Sequence, residues 1–421
     1  MTAGAGSRAR RALCLTAAAG ALWAAPALSQ APAARAAESC DRRTTDVFDP
    51  TTPYPLVQYS ASKDIWARGV TGSGVLVAVV DSGVDVRNPH FRVPGTGVTI
   101  AANGWSALPP GPFVDAAGKV DETSHGTAVA GIIAARPVDG SGVVGLAPRA
   151  TILPIQVYAA PPDSGEQFRA LWPTSRAMAQ GITEATKRGA KIINVSLSQD
   201  TDDPELRAAV DFAHAQGSLV VASAGDRATS ANKQDVPRYP AAYPNVLSVT
   251  AVDKDNQVAD SSVHGPHVGV AAPGQLIPTT WKDHGDCLVG PEAATSFSTP
   301  LVSATAALVA QQYPAEGPDM WKYRIEASAL RPRSDRRDNQ LGWGLISPYD
   351  ALTMTLDANR PGPTMPGQAP PRVVAKPLSA PAVEPPRDLV GPRRELGGWI
   401  AFAAIASAVG MRLVRTLRRA D

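Results

Sequence analysis

Residues 75–83 read VLVAVVDSG, six apolar residues followed by an acidic residue and a turn. An unbroken apolar run of this length predicts a strand that is buried on both faces, as in a parallel sheet. Asp81 then falls at the carboxyl end of that strand. In open α/β sheets this edge is where ligands bind, so the stretch predicts both the fold class and the position of a site.

The same alternation of apolar runs and helical patterns continues along the chain. Strands are predicted at residues 75–80, 151–156, 191–197, 218–222 and 246–252. Helices are predicted at residues 126–135, 174–188, 204–216 and 300–312. Strands that alternate with helices predict an α/β fold, with a mainly parallel sheet and helices on both faces.

Two further motifs supply the other groups that a nucleophilic hydrolase needs. His125 opens HGTAVAG, and Ser296 stands in TSFSTP, each at the predicted start of a buried helix. Each motif alone is typical of a turn or a helix cap. Together, the order Asp81, His125, Ser296 is one of the few chain orders known for a catalytic triad. The combination predicts hydrolysis of peptide bonds.

With these motifs, the chain resembles the subtilisin-like serine proteases from about Trp66 to Leu352. The resemblance includes GVVGLAP at 142–148, INVSLS at 193–198, VASAG at 221–225 and YPAAYPNV at 239–246. It implies that Asp81 orients His125, which acts as general base and then as general acid. It also implies that Ser296 attacks the scissile carbonyl.

Substrate binding is assigned by the same resemblance to two segments, Ser196-Leu197-Ser198 and Ala222-Ser223-Ala224. An extended peptide would pair with these segments as an added strand. Judged without the resemblance, each segment is simply the end of a sheet strand. No cofactor is expected, and no metal site, because no Cys or acidic residue stands at ligand spacing from the loop histidines.

Two positions depart from the family pattern. The asparagine of the oxyanion hole follows Ala-Gly in the family, and here Asp226 takes its place. An ionised carboxylate cannot donate a hydrogen bond and repels an oxyanion. Ala294 replaces the glycine that usually precedes the Thr-Ser of the nucleophile motif, which adds a methyl group near the substrate. Both departures predict reduced catalytic efficiency.

The N-terminus is typical of an exported protein. Three arginines precede the apolar stretch 12–25, and small-residue motifs that resemble signal-peptidase sites follow. This pattern predicts a signal peptide over residues 1–37. An amphipathic N-terminal helix is the alternative. The absence of acidic residues before Glu38 favours export.

Removal of the signal peptide would take Cys14 with it and leave two cysteines, Cys40 and Cys287. A disulfide between them is expected in an oxidising compartment. The N-terminal extension, residues 38–65, is too short to form the folded inhibitory pro-domain that secreted subtilisin-like enzymes usually carry.

The C-terminus predicts a tether and a membrane helix. Residues 359–394 are rich in proline and favour an extended spacer. A transmembrane helix is predicted at 395–414, around the uncharged run Leu396–Met411, with a basic cytoplasmic tail at 415–421. The alternative is an amphipathic helix on the membrane surface.

This layout, with a catalytic domain at 66–358, resembles the mycosins, which are membrane-anchored subtilisin-like proteases associated with type VII secretion. The resemblance implies a serine endopeptidase of exported proteins, with its catalytic domain outside the membrane and possible contacts to secretion components. The alternative is a weakly active protease fold that serves as a structural part of the secretion complex. A degradative extracellular subtilisin fits less well, because it would have a pro-domain and no anchor. With 40 basic and 38 acidic residues, there is no electrostatic case for binding nucleic acid.

Overall fold

The computed structural model describes residues 62–92, 100, 103–227, 233–283, 285–368 and 391–418. The chain divides into two compact units, residues 1–371 and 372–421. The predicted signal peptide and Cys40 lie outside the described residues.

The described residues form nine strands, eight α-helices and three short 3₁₀ helices. The strands are β1 Leu76–Asp81, β2 Trp105–Ser106, β3 Thr151–Gln156, β4 Ile192–Val195, β5 Leu219–Ser223, β6 Val246–Val252, β7 Val270–Pro273, β8 Ile277–Trp281 and β9 Gly285–Val289. The helices are α1 Ser62–Ala67, α2 His125–Ala134, α3 Ser175–Lys187, α4 Pro204–Ala215, α5 Thr295–Gln312, α6 Pro318–Ser328, α7 Pro348–Thr353 and α8 Gly391–Leu417. The 3₁₀ helices span Pro89–Phe91, Pro162–Ser164 and Glu166–Leu171.

Seven strands form one sheet in the order β2-β3-β1-β4-β5-β6-β7. Every neighbouring pair in this sheet is parallel, which confirms the predicted α/β fold. The antiparallel hairpin of β8 and β9 was not predicted from the sequence. Its strands carry Pro278, Gly285 and Asp286, residue types that are depleted in strands and that hide the pattern.

The uninterrupted apolar run of β1 is explained by its central place in the sheet. Val77 and Val79 face the core that contains α2 and α5. Ala78 and Val80 face the second core, with α3 and α4. All four side chains are fully buried. Both faces of the strand are covered by helices, which explains why its residues are apolar. The strand ends with Asp81 at the carboxyl edge of the sheet, as the sequence predicts.

Helix α8 is the main element of the second unit. From Leu396 to Thr416 it has 21 residues, which include an 18-residue stretch with a mean hydropathy of 1.5, and none of this stretch is buried. At a rise of about 1.5 Å per residue, this segment is about 32 Å long, close to the thickness of a bilayer core. It is the one helix among the described residues that is long and apolar enough to cross a membrane.

Candidate active site

Asp81 is held at the end of β1 with no exposed surface. Its Oδ1 accepts a hydrogen bond from Nδ1 of His125 at 2.8 Å and another from the backbone N–H of Ser82 at 2.8 Å. A buried carboxylate in this position fixes the orientation of the imidazole and leaves Nε2 for other partners. The first two predicted triad members are therefore in direct contact.

The backbone at the start of α2 places His125 beside Asp81. Gly126 lies so close to β1 that a Cβ atom would stand 2.1 Å from the carbonyl oxygen of Gly83. Only glycine fits at this contact, which accounts for the His-Gly order in the motif. The Gly126 N–H also donates to Oγ of Ser82 at 2.9 Å.

Asp121 anchors the turn that leads into α2. Its carboxylate accepts hydrogen bonds from Ser124 N at 2.9 Å, from Thr127 N at 2.8 Å and from Thr127 Oγ1 at 2.7 Å. Ser124 adopts a left-handed backbone with φ of 64°, an unfavourable conformation for serine. The Asp121 bonds thus stabilise a strained turn next to His125.

The pKa of His125 lies above its ordinary value of 6.5. Burial alone lowers this pKa, since it disfavours the charged ring. The charge and hydrogen bond of Asp81 outweigh the burial, with further contributions from the charges of Asp121 and Asp226. Three carboxyl groups thus stabilise the imidazolium form.

Ser296 lies in the first turn of α5 and is half-buried. Pro300 stands four residues later and has no N–H, so the carbonyl of Ser296 lacks its helical partner. The hydroxyl of Ser196 supplies the missing bond, donating to the Ser296 carbonyl at 2.9 Å. The proline in the motif thus connects the nucleophile turn to the end of β4.

The next residue, Phe297, joins this turn to the imidazole. The rings of Phe297 and His125 pack with centroids 5.5 Å apart. Asp81 and His125 are therefore bonded to each other, and the turn that carries Ser296 contacts His125 through the ring of Phe297. Their catalytic roles stay a prediction at this point.

Asp226 follows β5 and is nearly buried. Its Oδ1 accepts the backbone N–H of Thr295 at 2.9 Å, and its Oδ2 accepts the Thr295 hydroxyl at 2.9 Å. Burial raises the pKa of Asp226 to about 6, although these bonds and the charge of His125 oppose the increase. The carboxyl group is thus bound to the residue that precedes Ser296, and a donor role in an oxyanion hole stays a prediction.

The other unusual residue, Ala294, caps the start of α5 with an extended backbone, φ −129° and ψ 133°. Alanine adopts this conformation without strain. The backbone itself therefore does not need a glycine at this position.

The two predicted substrate segments lie at neighbouring strand ends. Ser196 to Ser198 follow β4, while Ala222 and Ser223 end β5 and Ala224 follows it. Beside its bond to the Ser296 carbonyl, Ser196 accepts Nδ2 of Asn194 at 3.0 Å. Ser223 and Thr295 share a hydrogen bond of 2.5 Å between their hydroxyl groups. Both segments therefore contact the turn that carries Ser296; peptide binding by them stays a prediction.

Sequence reasoning missed Asp121 and Tyr158, which also bind this cluster. Asp121 precedes His125 by four residues, and a carboxylate just before a helix start is a capping signal that could have found it. Tyr158 follows the neighbouring strand β3, and its hydroxyl donates to Oδ1 of Asp81 at 3.1 Å. Only the strand order, which the sequence does not give, brings Tyr158 to Asp81.

Cys287 lies in β9 and is buried. Because Cys40 lies outside the described residues, the predicted disulfide between them stays a prediction. Among the residues that the structure describes, no group of three His, Cys, Asp or Glu side chains could hold a metal ion.

The chain is also similar to known proteins. The chain matches the subtilase family, peptidase S8, over residues 72–344. It is 33% identical to Mycosin-1 of Mycolicibacterium smegmatis over 82% of this chain and 81% of that protein.

Solved structures agree with this comparison. The crystal structure of MycP1 from Mycobacterium smegmatis matches with a TM-score of 0.62 and 26% identity, over 79% of this chain and 93% of that one. A chain of an intact ESX-5 inner membrane complex matches with a TM-score of 0.62 and 28% identity, over 87% of this chain and 91% of that one. The chain belongs to the subtilase family of serine proteases and is similar to the mycosins.

Proposed function

We propose that this chain is a serine endopeptidase in which Asp81, His125 and Ser296 act as the catalytic triad. The observation that carries the proposal is the 2.8 Å bond from His125 to the buried Asp81, beside a ring contact with the nucleophile turn. In this mechanism, His125 Nε2 takes the proton of Ser296 as the hydroxyl attacks the peptide carbonyl. It then returns that proton to the leaving amine, and water repeats the cycle on the acyl-enzyme.

The developing oxyanion would be stabilised by the N-terminus of α5. The backbone N–H of Ser296 lies in the first turn, where N–H groups lack helical partners and the helix dipole is positive. This N–H also bonds to the carboxyl group of Asp226, so an oxyanion would compete with Asp226 for it. A second donor from Asp226 requires its protonated form, because the carboxylate has no hydrogen to donate. We therefore expect low turnover compared with a subtilase that has asparagine there.

Labelling with a fluorophosphonate probe tests the proposal, because the probe reacts only with an activated serine. The full-length protein should be labelled, and Ser296→Ala should abolish the label. Ser298→Ala is the matched control, because Ser298 lies in the same turn but donates to the carbonyl of Ala272 at 2.9 Å. Label on the Ser296→Ala variant equal to that of the parent would overturn the triad assignment.

A second candidate function, a structural component with little or no activity, is favoured by one observation. Asp226 presents a carboxyl group where the family presents an amide. A folded parent protein that resists the probe at every pH, while Asp226→Asn becomes labelled, would support this candidate over a working protease.

The proposed setting is a membrane-bound secretion complex that handles exported proteins. Its support is the 21-residue exposed apolar segment of α8 and the similarity to a chain of an ESX-5 inner membrane complex. Arg412, Arg415 and Arg418 lie at one end of that segment, and this basic cluster supports a cytoplasmic location for this end and an outside location for the catalytic domain.

Truncation after Ala358 tests the anchor. The truncated form should leave the membrane fraction after export, since the apolar segment of α8 is removed. Deletion of residues 369–390 alone is the matched control and should stay in the membrane. Recovery of the truncated form in the membrane pellet would contradict a single C-terminal anchor.

The proposed disulfide between Cys40 and Cys287 would attach the N-terminal extension to β9. Closing a loop of this length stabilises a fold by about 5 kcal/mol in the chain-entropy treatment. Mass spectrometry of a non-reduced digest should find the linked peptides. Two freely alkylated thiols in the exported protein would exclude the bond.

A further inference from the structure

Oδ1 of Asp81 is crowded with donors, whereas Oδ2 is not. Besides His125 Nδ1 and Ser82 N, Oδ1 faces the Ser82 hydroxyl at 3.2 Å and the Tyr158 hydroxyl at 3.1 Å. Among the described residues, Oδ2 is buried without a hydrogen-bond partner. A carboxylate oxygen has about two lone-pair sites, so four donors at one oxygen compete.

The Tyr158 hydroxyl is fixed in this position by its surroundings. Tyr158 is 6% exposed and packs in the core that also contains Val80 and Val157. Burial, with the charges of Asp81 and Asp121, holds the pKa of Tyr158 well above its usual value. The phenol is therefore protonated and able to donate at neutral pH.

We propose that Tyr158 is a positioning residue that weakens the bond between Asp81 and His125 and so keeps the base competent at lower pH. The proposal rests on the proposed triad. The phenol of Tyr158 places the positive end of its O–H dipole on Asp81 Oδ1, the same oxygen that attracts the imidazolium. This partial neutralisation limits how strongly Asp81 stabilises the charged ring.

The proton balance at His125 involves every charged group that faces it. Asp81 approaches from β1, Asp121 from the turn before α2, and Asp226 from the end of β5. All three favour the imidazolium, which is the form that cannot act as a base. A hydrogen bond that reduces the attraction of Asp81 opposes this effect, and Tyr158 supplies one from β3.

The test is the pKa of His125, measured by NMR on full-length protein in detergent with labelled histidine. The chain has six histidines, so the signal can be assigned by its loss in His125→Gln. The measurement uses the Ser296→Ala background, which makes it independent of turnover. Tyr158→Phe should raise this pKa by roughly half a unit, because one donor fewer then competes with the imidazolium for Asp81 Oδ1.

Tyr243→Phe is the matched control. Tyr243 is equally buried and donates to Asp202 Oδ1 at 3.0 Å, in the same kind of phenol–carboxylate bond. This variant should leave the pKa of His125 unchanged, which separates a local effect from a general loss of stability.

A second variant should shift the pKa of His125 in the opposite direction, and it retains the whole side chain. Replacement of Tyr158 by ortho-fluorotyrosine makes the phenol a stronger donor and should lower the pKa of His125. In protein that retains Ser296, the acid limb of kcat/KM should move to higher pH in Tyr158→Phe and to lower pH with ortho-fluorotyrosine. No shift, or a lower pKa in Tyr158→Phe, would overturn the role of Tyr158. Absence of any activity, with the NMR shifts as expected, would instead count against the proposed function.

Discussion

The two halves of the candidate site are built differently. On one side, Asp81 and His125 are joined by a short hydrogen bond, Ser82 and Tyr158 also donate to Asp81, and Asp121 binds the turn before His125. On the other side, Asp226 places a carboxyl group at the turn of Ser296, where stabilisation of an oxyanion needs donors. We therefore expect the oxyanion half, and not the Asp81–His125 pair, to limit the rate.

The largest effect should come from a substitution in the half that contains Asp81 and His125. In Asp81→Asn, the amide can donate to Nδ1 of His125, which favours the wrong tautomer, and kcat should fall on the order of 10⁴-fold. Steady-state kinetics on a peptide substrate measure this. Asp85→Asn is the control, since Asp85 is also buried but pairs with Arg87. A loss below about tenfold in Asp81→Asn would mean that His125 does not depend on Asp81.

Repair of the other half should give the next largest effect. Asp226→Asn removes a charge and supplies an N–H donor, so kcat should rise by up to about 10²-fold. The pKa of Asp226 is raised to about 6, so the parent carboxyl is charged above that pH and the gain should be largest there.

The Asp226→Ala variant separates the two contributions, because it removes the charge and adds no donor. We expect it to fall between the parent and Asp226→Asn in a rate profile from acidic to alkaline pH. If Asp226→Asn were no faster than the parent at any pH, another group would supply the oxyanion donor.

The parent should also have a narrow pH range of activity. His125 must be neutral, which requires a pH above its raised pKa, while a donor role for Asp226 requires a pH below about 6. Since the two requirements do not overlap, only a minority of molecules has both groups in the active form at any pH. We therefore expect low turnover from the proposed triad at every pH.

A substitution of Asp121, on the side of Asp81 and His125, should have a smaller effect. Asp121→Asn removes one of the charges that stabilise the imidazolium, so the pKa of His125 should fall. The acid limb of kcat/KM should then move to lower pH by less than about one unit. Asp115→Asn, in a nearby turn, should leave the limb in place. An upward shift in Asp121→Asn would show that the turn itself has been lost.

Sequence alone predicts more of the first half than of the second. The apolar run at 75–80 predicts the strand that ends at Asp81, the HGTAVAG motif predicts a helix that begins beside His125, and both elements are observed. The partners of Asp81 and Asp226 depend on which strands are neighbours. Tyr158 reaches Asp81 only because β3 pairs with β1, and Asp226 reaches Thr295 only because β5 ends beneath the turn of α5.

The smallest effect should come from Ala294, the other departure from the family pattern. Its backbone is extended, with φ of −129°, so alanine fits there without strain. Ala294→Gly should therefore change kcat/KM by about twofold or less and lower stability by up to about 1 kcal/mol, through the greater freedom of glycine in the unfolded chain. Kinetics and thermal unfolding of the same preparation measure both quantities. A gain comparable to that of Asp226→Asn would instead show that the methyl group obstructs the peptide, and that substrate access, not the oxyanion, limits this site.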